Sequence, residues 1–435
     1  MKSPWQIHSL TAFMSFTRTQ LHNGITLLVD SDTRFNSVAL CFCLRGGLRD
    51  ETPETVGISH ILEHLLFKRS GKRSQRDIAE FIDSVGGQVN ASTDTESICL
   101  YGVVPGERLP ELVDFFSELL TDNAVLEEDF ELEREVIAQE MSEAEDSVFD
   151  VLIESLSKTM WKGSVLGFPV FGTRASLESF TLSLVKQRLS ELCVGSRLVI
   201  AASGNVDKSQ LVKTVEKHFS NIPEGRKARK DNASFHSGLE LIQKQATQVY
   251  MALAFPWPSL LSEQYISGIV GASALGEGVS SRLFQLLREE HGLTYDISAT
   301  IDSYTDVGAC IISGAFEPKN VEQALTLLHA ELESIREEGL SQEEFYRVKR
   351  SLLSHVMLER DRHEDRLWRS VNSELWYGRN VSLDEVQKSL EQLTLKEVNK
   401  CLNQWILNKK ALLVLCGDVA SVIVPEKLKA VCQGR

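Results

Sequence analysis

The sequence His60-Ile61-Leu62-Glu63-His64 places two imidazoles and one carboxylate within a single helical turn. Positions 60, 63 and 64 are related as i, i+3 and i+4, so on a helix their side chains share one face. Two neutral histidines in this arrangement can bind one Zn²⁺. The glutamate beside them can accept a proton from a water molecule that the metal activates. This stretch therefore predicts a helix that presents a metal site.

The residues around this pentapeptide favour a metal site over a chance pair of surface histidines. Apolar residues recur at helical spacing on a neighbouring stripe of the same segment: Ile58, Ile61, Leu62, Leu65 and Leu66. One stripe of the predicted helix therefore packs into a core while the next presents the ligands. The order His-x-x-Glu-His is the inverse of the commoner His-Glu-x-x-His motif and occurs in inverted zinc peptidases.

A third protein ligand is needed, because a catalytic zinc usually has three together with one position open to water. Residues 126–147 are predicted to be helical, since they contain no Gly or Pro and have apolar positions at helical spacing. The acidic candidates in this segment are Glu131, Glu133, Glu135, Glu140, Glu143 and Glu145. Spacing alone does not select among them. Glu133 and Glu140 share one face and are about 10 Å apart along the helix axis.

These features resemble the M16 (insulinase/pitrilysin-like) family of zinc metallopeptidases, and the chain length is similar to that of the short-chain branch that includes the mitochondrial processing peptidase. In that family the third ligand is a glutamate about 76 positions after the second histidine, in a Glu-x-x-Val-Ile-x-x-Glu-like stretch. Here residues 133–140 read Glu-Arg-Glu-Val-Ile-Ala-Gln-Glu, and Glu140 follows His64 by 76 positions. The resemblance implies that Glu140 is the third ligand and that Glu133 supports the site from outside the ligand set.

Two further segments resemble the same family. Residues 280–295 are similar to its C-terminal substrate-binding motif, in which an arginine and a tyrosine seven positions apart hold the peptide and help to stabilise the oxyanion. Arg288 and Tyr295 have this spacing, although an isolated pair of this kind would be interpreted as a surface arginine and a strand tyrosine. Residues 86–93 resemble the strand beside the metal, whose exposed edge pairs with the substrate main chain. Asn90 and Ala91 would then contact the substrate.

Composition limits the class of protein. A chain of 435 residues with 43% hydrophobic and 25% charged residues is typical of a soluble globular protein with two or more domains. No apolar run approaches 18 residues, so no membrane span is predicted. The net charge of −15 argues against nucleic-acid binding. The eight cysteines include no Cys-x-x-Cys pair, and the first residues lack the layout of a secretory signal, so we expect a reducing, cytoplasmic location.

The chain is predicted to contain two similar halves, because a closing strand followed by Gly-Asn-Val at 204–206 recurs as a strand followed by Gly-Asp-Val at 417–419. The predicted domains are an N-terminal catalytic zinc-binding domain at 1–222, a polar linker at 223–245 and a C-terminal domain at 246–435. The last of these lacks the metal residues and contributes the substrate-binding residues. Runs of strands and long helices favour the α+β class, in which each domain is a largely antiparallel sheet packed with helices.

The resemblance implies a zinc-dependent endopeptidase that hydrolyses short, unstructured peptides. One Zn²⁺ per chain would be held by His60, His64 and Glu140, and Glu63 would be the general base. The resemblance also implies a homodimer or a heterodimer with an inactive homologue. Three alternatives stay open: a processing-peptidase subunit that needs an inactive partner, a non-catalytic structural homologue, and a peptide-binding module whose zinc has four protein ligands.

Overall fold

The computed structural model describes residues 14–228, 231–408 and 410–434. Its strands are β1 (Met14–Gln20), β2 (Thr26–Asp32), β3 (Ser37–Arg45), β4 (Gln88–Thr93), β5 (Ser97–Pro105), β6 (Leu198–Gly204), β7 (Gly238–Gln243), β8 (Val249–Pro256), β9 (Ile297–Ser303), β10 (Gly308–Phe316) and β11 (Leu412–Gly417).

The α-helices are α1 (Ile58–Leu66), α2 (Gln75–Ser84), α3 (Leu109–Thr121), α4 (Glu127–Asp146), α5 (Val148–Met160), α6 (Arg174–Ser179), α7 (Leu182–Leu192), α8 (Lys208–Phe219), α9 (Tyr265–Gly276), α10 (Val321–Glu338), α11 (Gln342–Arg360), α12 (His363–Tyr377), α13 (Leu383–Gln392), α14 (Leu395–Trp405) and α15 (Glu426–Cys432). A π-helical segment covers Phe284–Glu290. Among the described residues, no helix is long and apolar enough to cross a membrane.

The chain forms two compact units, and each is assembled from three segments. The first unit consists of Pro169–Asp231, Leu358–Val381 and the described residues of Met1–Gln139. The second consists of Glu140–Phe168, Asn232–Met357 and the described residues of Ser382–Arg435. These two units do not follow the contiguous boundaries predicted from the sequence. Helix α12 belongs to the first unit and helix α5 to the second.

The first unit contains a six-stranded sheet with the order β1-β2-β6-β3-β5-β4, so β4 is an edge strand. The β2–β6 pair is parallel and the other pairs are antiparallel. The central strands β3 and β6 are almost entirely buried, as expected for their apolar runs. The α+β class with largely antiparallel sheets, predicted from the sequence, is confirmed.

The second unit contains a five-stranded sheet with the order β7-β11-β8-β10-β9. Its single parallel pair, β7–β11, corresponds to β2–β6, so the two sheets share one strand order apart from β1. The predicted repeat is therefore present in the topology. However, β7 lies inside the segment that was predicted to be linker. This strand was missed because it follows a polar stretch and its own residues are mostly half-exposed.

Helix α12 covers one face of the first sheet. Its Leu367 and Val371 belong to a buried cluster with side chains of β2, β3, β5 and β6, including the thiols of Cys41, Cys43 and Cys99. Burial raises the pKa of the Cys41 thiol, which fits the prediction that these cysteines pack as small hydrophobic residues. The sheet face would be exposed to water without this helix, so a segment from the C-terminal half completes the core of the first unit.

Buried ion pairs fasten both halves of α12 to the sheet. The Glu374 carboxylate is buried and accepts hydrogen bonds from Arg18 at 2.7 Å and Arg45 at 2.9 Å. One turn after the start of the helix, buried Arg366 donates to Asp30 at 2.7 Å and to Asp32 at 3.0 Å. Charges at such depth need their partners, because an unpaired buried charge is strongly destabilising.

Replacing Arg366 with Ala is expected to destabilise the protein by about 3 kcal/mol, since it leaves buried Asp32 and half-buried Asp30 with fewer partners. Asp32 keeps Arg34 at 2.8 Å, which limits the loss. Chemical denaturation measures the difference. The matched control is Arg76→Ala, which removes an arginine from an exposed pair and should change stability by less than about 1 kcal/mol. Equal effects of the two substitutions would contradict the role of the buried pairs.

Candidate metal centre

The helix that carries the pentapeptide, α1, begins at a glycine that no other residue could replace. Gly57 has a φ of 94°, and a Cβ atom there would lie 2.5 Å from the carbonyl oxygen of Phe171. A glycine has no side chain to cap the helix. Glu51 supplies the cap, because its buried carboxylate accepts hydrogen bonds from the Gly57 N–H at 2.8 Å and the Ser59 N–H at 2.9 Å. An anion at this end also interacts favourably with the helix dipole.

The cap at Glu51 predicts a pH-dependent stability. Burial raises the pKa of Glu51 to about 7, and hydrogen bonds from Ser59 and Gly57 limit the rise. An unfolded chain loses this proton near the ordinary value of 4.5, so the folded state binds the proton more tightly. This contribution to stability is complete below the unfolded pKa and is lost as the pH rises through about 7.

We therefore expect the metal-free wild type to lose more unfolding free energy between about pH 5 and about pH 8 than the Glu51→Gln variant does. Denaturant titrations in the presence of a chelator measure the two differences. If the wild type and Glu51→Gln change by the same amount, the pH dependence does not come from this carboxyl group.

The two faces of α1 are arranged as the sequence predicts. Its five apolar stripe residues are buried, whereas His60, Glu63 and His64 are half-buried on the neighbouring face. The ring centroids of His60 and His64 are 4.6 Å apart. Burial, with a smaller effect from His64, lowers the pKa of His60 to about 4. His60 is therefore neutral at pH 7, which is the form in which histidine binds metals.

Glu140 completes a group of three potential ligands. Side-chain donor atoms of His60, His64 and Glu140 all lie within 4.8 Å of one another. Glu140 is on α4. In the part of the chain that the structure describes, no other group of three His, Cys, Asp or Glu donors is close enough to hold a metal. Two imidazole nitrogens and one carboxylate oxygen are a donor set that suits zinc.

Glu133, about two helical turns before Glu140 on the same face of α4, orients the second histidine. Its carboxylate is 3% exposed and contacts His64 Nδ1 at 2.9 Å through one oxygen and Lys68 Nζ at 2.6 Å through the other. Burial acts to raise the pKa of Glu133, but hydrogen bonds from His64 and Lys68 outweigh it and keep the pKa below its ordinary value. Ionised Glu133 accepts the Nδ1 proton, so His64 offers Nε2 to a metal.

The Glu63 side chain links α1 to the edge strand β4. Its Oε2 accepts a hydrogen bond from Thr93 Oγ1 at 2.9 Å. Thr93 ends the strand that also contains Asn90, which is exposed, and Ala91, which is buried. The Ala91 N–H donates to the side-chain oxygen of Asn90 at 2.9 Å. The structure thus brings the predicted base close to the predicted substrate strand, and it does so through a threonine that the sequence analysis did not assign.

A cleft of about 420 Å³ adjoins the same residues. It is lined by Glu63, His64, Phe67, Lys68, Gln75, Ile78, Ala79, Ile82, Val89, Asn90, Ala91 and Glu133. The apolar lining side chains are Phe67, which follows α1, and residues of α2 and β4. The polar ones include Glu63, His64 and Glu133 of the candidate metal centre. The cleft therefore combines a few placed polar groups with apolar walls, as small binding sites commonly do.

Arg288 and Tyr295 are in contact with each other in the second unit. The Arg288 guanidinium lies 4.2 Å from the Tyr295 ring centroid and 4.6 Å from that of Phe284. Arg288 also donates to the carbonyl oxygen of Tyr295 at 2.9 Å. The Tyr295 side chain is largely exposed. The guanidinium thus fixes the backbone and stacks on the ring of a tyrosine whose surface is open to solvent.

Two family models match consecutive parts of the chain. The model described as insulinase (peptidase family M16) matches residues 26–174, and the model described as the peptidase M16 inactive domain matches residues 179–352. A protease from Helicobacter pylori has a similar structure, with a TM-score of 0.86 over 93% of this chain and 99% of its own at 18% identity. A structure described as a peptidase M16 inactive domain from Pseudomonas fluorescens has the same TM-score at 16% identity, over 93% and 98% of the two chains. At these identities both structures support the fold alone.

Sequence relatives are similar over almost the whole length. An uncharacterized zinc protease of Bacillus subtilis (strain 168) is 30% identical over 399 residues, which are 92% of this chain and 97% of that protein. An uncharacterized zinc protease of Mycobacterium tuberculosis (strain ATCC 25618 / H37Rv) is 31% identical over 419 residues, 95% of this chain and 96% of its own. With both family domains matched in order and relatives of this identity aligned over more than nine-tenths of the chain, this protein belongs to peptidase family M16.

Proposed function

We propose that the chain is a zinc-dependent endopeptidase that cleaves short, unstructured peptides. The observation that carries the proposal is the group formed by His60, His64 and Glu140, with Glu63 on the same helical face as the histidines. One Zn²⁺ per chain would be held by these three donors. The relatives named zinc proteases support the choice of metal.

The surroundings of the three donors suit a catalytic metal ion. His60 is neutral at pH 7 because burial lowers its pKa. His64 is held by Glu133, which leaves its Nε2 available as a ligand. Three protein donors, rather than four, are typical of catalytic zinc and favour it over a structural zinc site.

The proposed chemistry assigns a role to each residue of the centre. When held by these three donors, a zinc ion would supply a water of lowered pKa and would polarise the scissile carbonyl group. Glu63 would be the general base, taking up a proton at its carboxylate and passing it to the leaving amine. We assign Arg288 and Tyr295 to anchoring the peptide and aiding the oxyanion, as the family resemblance implies.

The edge of β4 determines the class of substrate. A peptide that adds to this edge binds through its main chain, so it must be extended and free of its own structure. Asn90 and Ala91 would contact it there, beside the cleft that both residues line. The apolar walls of the cleft favour an apolar side chain next to the cleaved bond.

A second candidate is a processing-peptidase-like subunit that acts only with an inactive homologue. The match of residues 179–352 to an inactive-domain model leaves the metal residues on one half of the chain, which is compatible with this candidate. The solution mass of the purified protein, measured with its activity, separates a self-sufficient homodimer from a subunit that lacks its partner.

The proposal is tested by measuring zinc per chain and incubating the purified protein with a library of unstructured peptides, read by mass spectrometry. We expect one zinc per chain, internal cleavage of peptides, and loss of cleavage on chelation with recovery when zinc is restored. Stoichiometric zinc with no cleavage by the lone chain, in a monomer or a dimer, would contradict a self-sufficient peptidase.

A further inference from the structure

Thr93 lies at the junction of two elements of the proposed site. It is the last residue of β4, where it pairs with Ile98 of β5. The next residue, Asp94, closes the turn between these strands through its N–H bond to the Ser97 carbonyl oxygen at 2.8 Å. The backbone of Thr93 is therefore fixed by the sheet, and its β-branched side chain has few rotamers. The hydroxyl group is consequently held in a defined position.

The hydroxyl proton of Thr93 has two acceptors within reach. Glu63 Oε2 is 2.9 Å away and the Ser59 carbonyl oxygen is 3.4 Å away. The Ser59 carbonyl already accepts the helical hydrogen bond expected from the residue four positions later. Glu63 Oε2 is the closer acceptor, by 0.5 Å. The proton is therefore donated to Glu63.

This hydrogen bond restricts the orientation of the carboxylate. The last torsion of a glutamate side chain is broad, so an untethered carboxylate samples many orientations. A donor on a rigid strand removes most of that freedom before any substrate binds. Small errors in the position of a reacting group are costly, because a displacement of about 1 Å can reduce a rate by about 10²-fold.

We infer that Thr93 is a positioning residue for Glu63, through which the substrate-binding edge strand sets the orientation of the general base. The inference rests on the proposed function, and it gives β4 a second role besides main-chain pairing with the peptide. Thr93 acts through Glu63 and has no direct contact with the reacting atoms.

The test compares Thr93→Val, Thr93→Ala and Thr93→Ser with the wild type, on a fluorogenic peptide chosen from those that the wild type cleaves. Loss of the hydroxyl in the Val and Ala variants should lower kcat about 10- to 100-fold, with KM and zinc content unchanged. Thr93→Ser keeps the hydroxyl group and should retain most of the wild-type kcat. Thr214→Val is the matched control, because Thr214 is also half-buried and donates only to a helix carbonyl oxygen, that of Gln210.

The outcomes separate this inference from the proposed function. A wild-type kcat in Thr93→Val and Thr93→Ala, or a Thr93→Ser variant as slow as they are, would overturn the positioning role and leave the peptidase assignment standing. A fall in kcat matched by an equal fall in zinc content would also overturn it, since Thr93 would then be supporting the helix or the metal. A wild type that binds zinc and cleaves no peptide would overturn both.

Discussion

Replacing Glu63 with Gln is expected to reduce peptide hydrolysis by about 10²- to 10⁴-fold and to leave zinc binding intact. The amide keeps the shape of the side chain and can still accept the hydrogen bond from Thr93. It cannot accept a proton from water, so only the base function is lost. Neither histidine nor Glu140 is altered, and the metal should therefore be retained.

The measurement for Glu63 compares kcat/KM and zinc per chain in the variant and the wild type. Glu80→Gln is the matched control, because it makes the same change of charge on an exposed glutamate of α2 that pairs with Arg76. The control should have wild-type activity. Activity of Glu63→Gln close to that of the wild type would rule out Glu63 as the base. A loss of zinc together with activity would make it a structural part of the metal centre.

Three substitutions along one helix are expected to weaken zinc binding to different degrees. Glu140→Gln removes an anionic ligand and should lower zinc affinity by more than about 100-fold, beyond the range found for outer partners. Glu133→Gln removes the acceptor for His64 Nδ1 and should lower it by about 10- to 100-fold. Glu135→Gln changes an exposed glutamate of the same helix and should have almost no effect.

Competition with a chromophoric chelator at constant pH measures the three zinc affinities. The series shares the helix, the residue type and the change of charge, so differences report the position of each carboxylate. Equal losses from Glu133→Gln and Glu140→Gln would contradict the assignment of one as ligand and the other as support. Wild-type affinity in Glu140→Gln would remove it from the ligand set.

Local sequence patterns were sufficient for the motif helix and for the class of the fold. The spacing of His60, Glu63 and His64 fixes their shared face, and the apolar stripe beside them fixes the face that is buried. Both follow from helical periodicity, which is a local property. The choice of Glu140 among six candidate glutamates needed the family resemblance, because helical spacing leaves several of them on acceptable faces.

The residues that the sequence analysis missed act through contacts distant in sequence. Thr93 reaches Glu63 across 30 positions, and no local pattern distinguishes it from any other strand threonine. Glu51 was missed as a cap because it precedes the glycine at the helix start by six positions. A signal for it existed, since a glycine N-cap leaves helix N–H groups that need another acceptor.

Composition and repeats could not predict that α5 belongs to the second compact unit and α12 to the first. Each helix has an apolar face, but the sheet that covers that face is not encoded locally. For α12, the partners Asp30 and Asp32 of Arg366 precede it by more than 300 positions. Strand β7 was missed for a local reason. It is an edge strand that pairs with one neighbour, and its apolar and polar residues alternate only weakly.

The central claim, a catalytic zinc held by His60, His64 and Glu140, is tested most directly by diffraction from zinc-loaded crystals on both sides of the zinc absorption edge. The account predicts one anomalous peak per chain in contact with these three side chains, with a non-protein ligand in the remaining position. A peak elsewhere, or a zinc surrounded by four protein ligands, would contradict it.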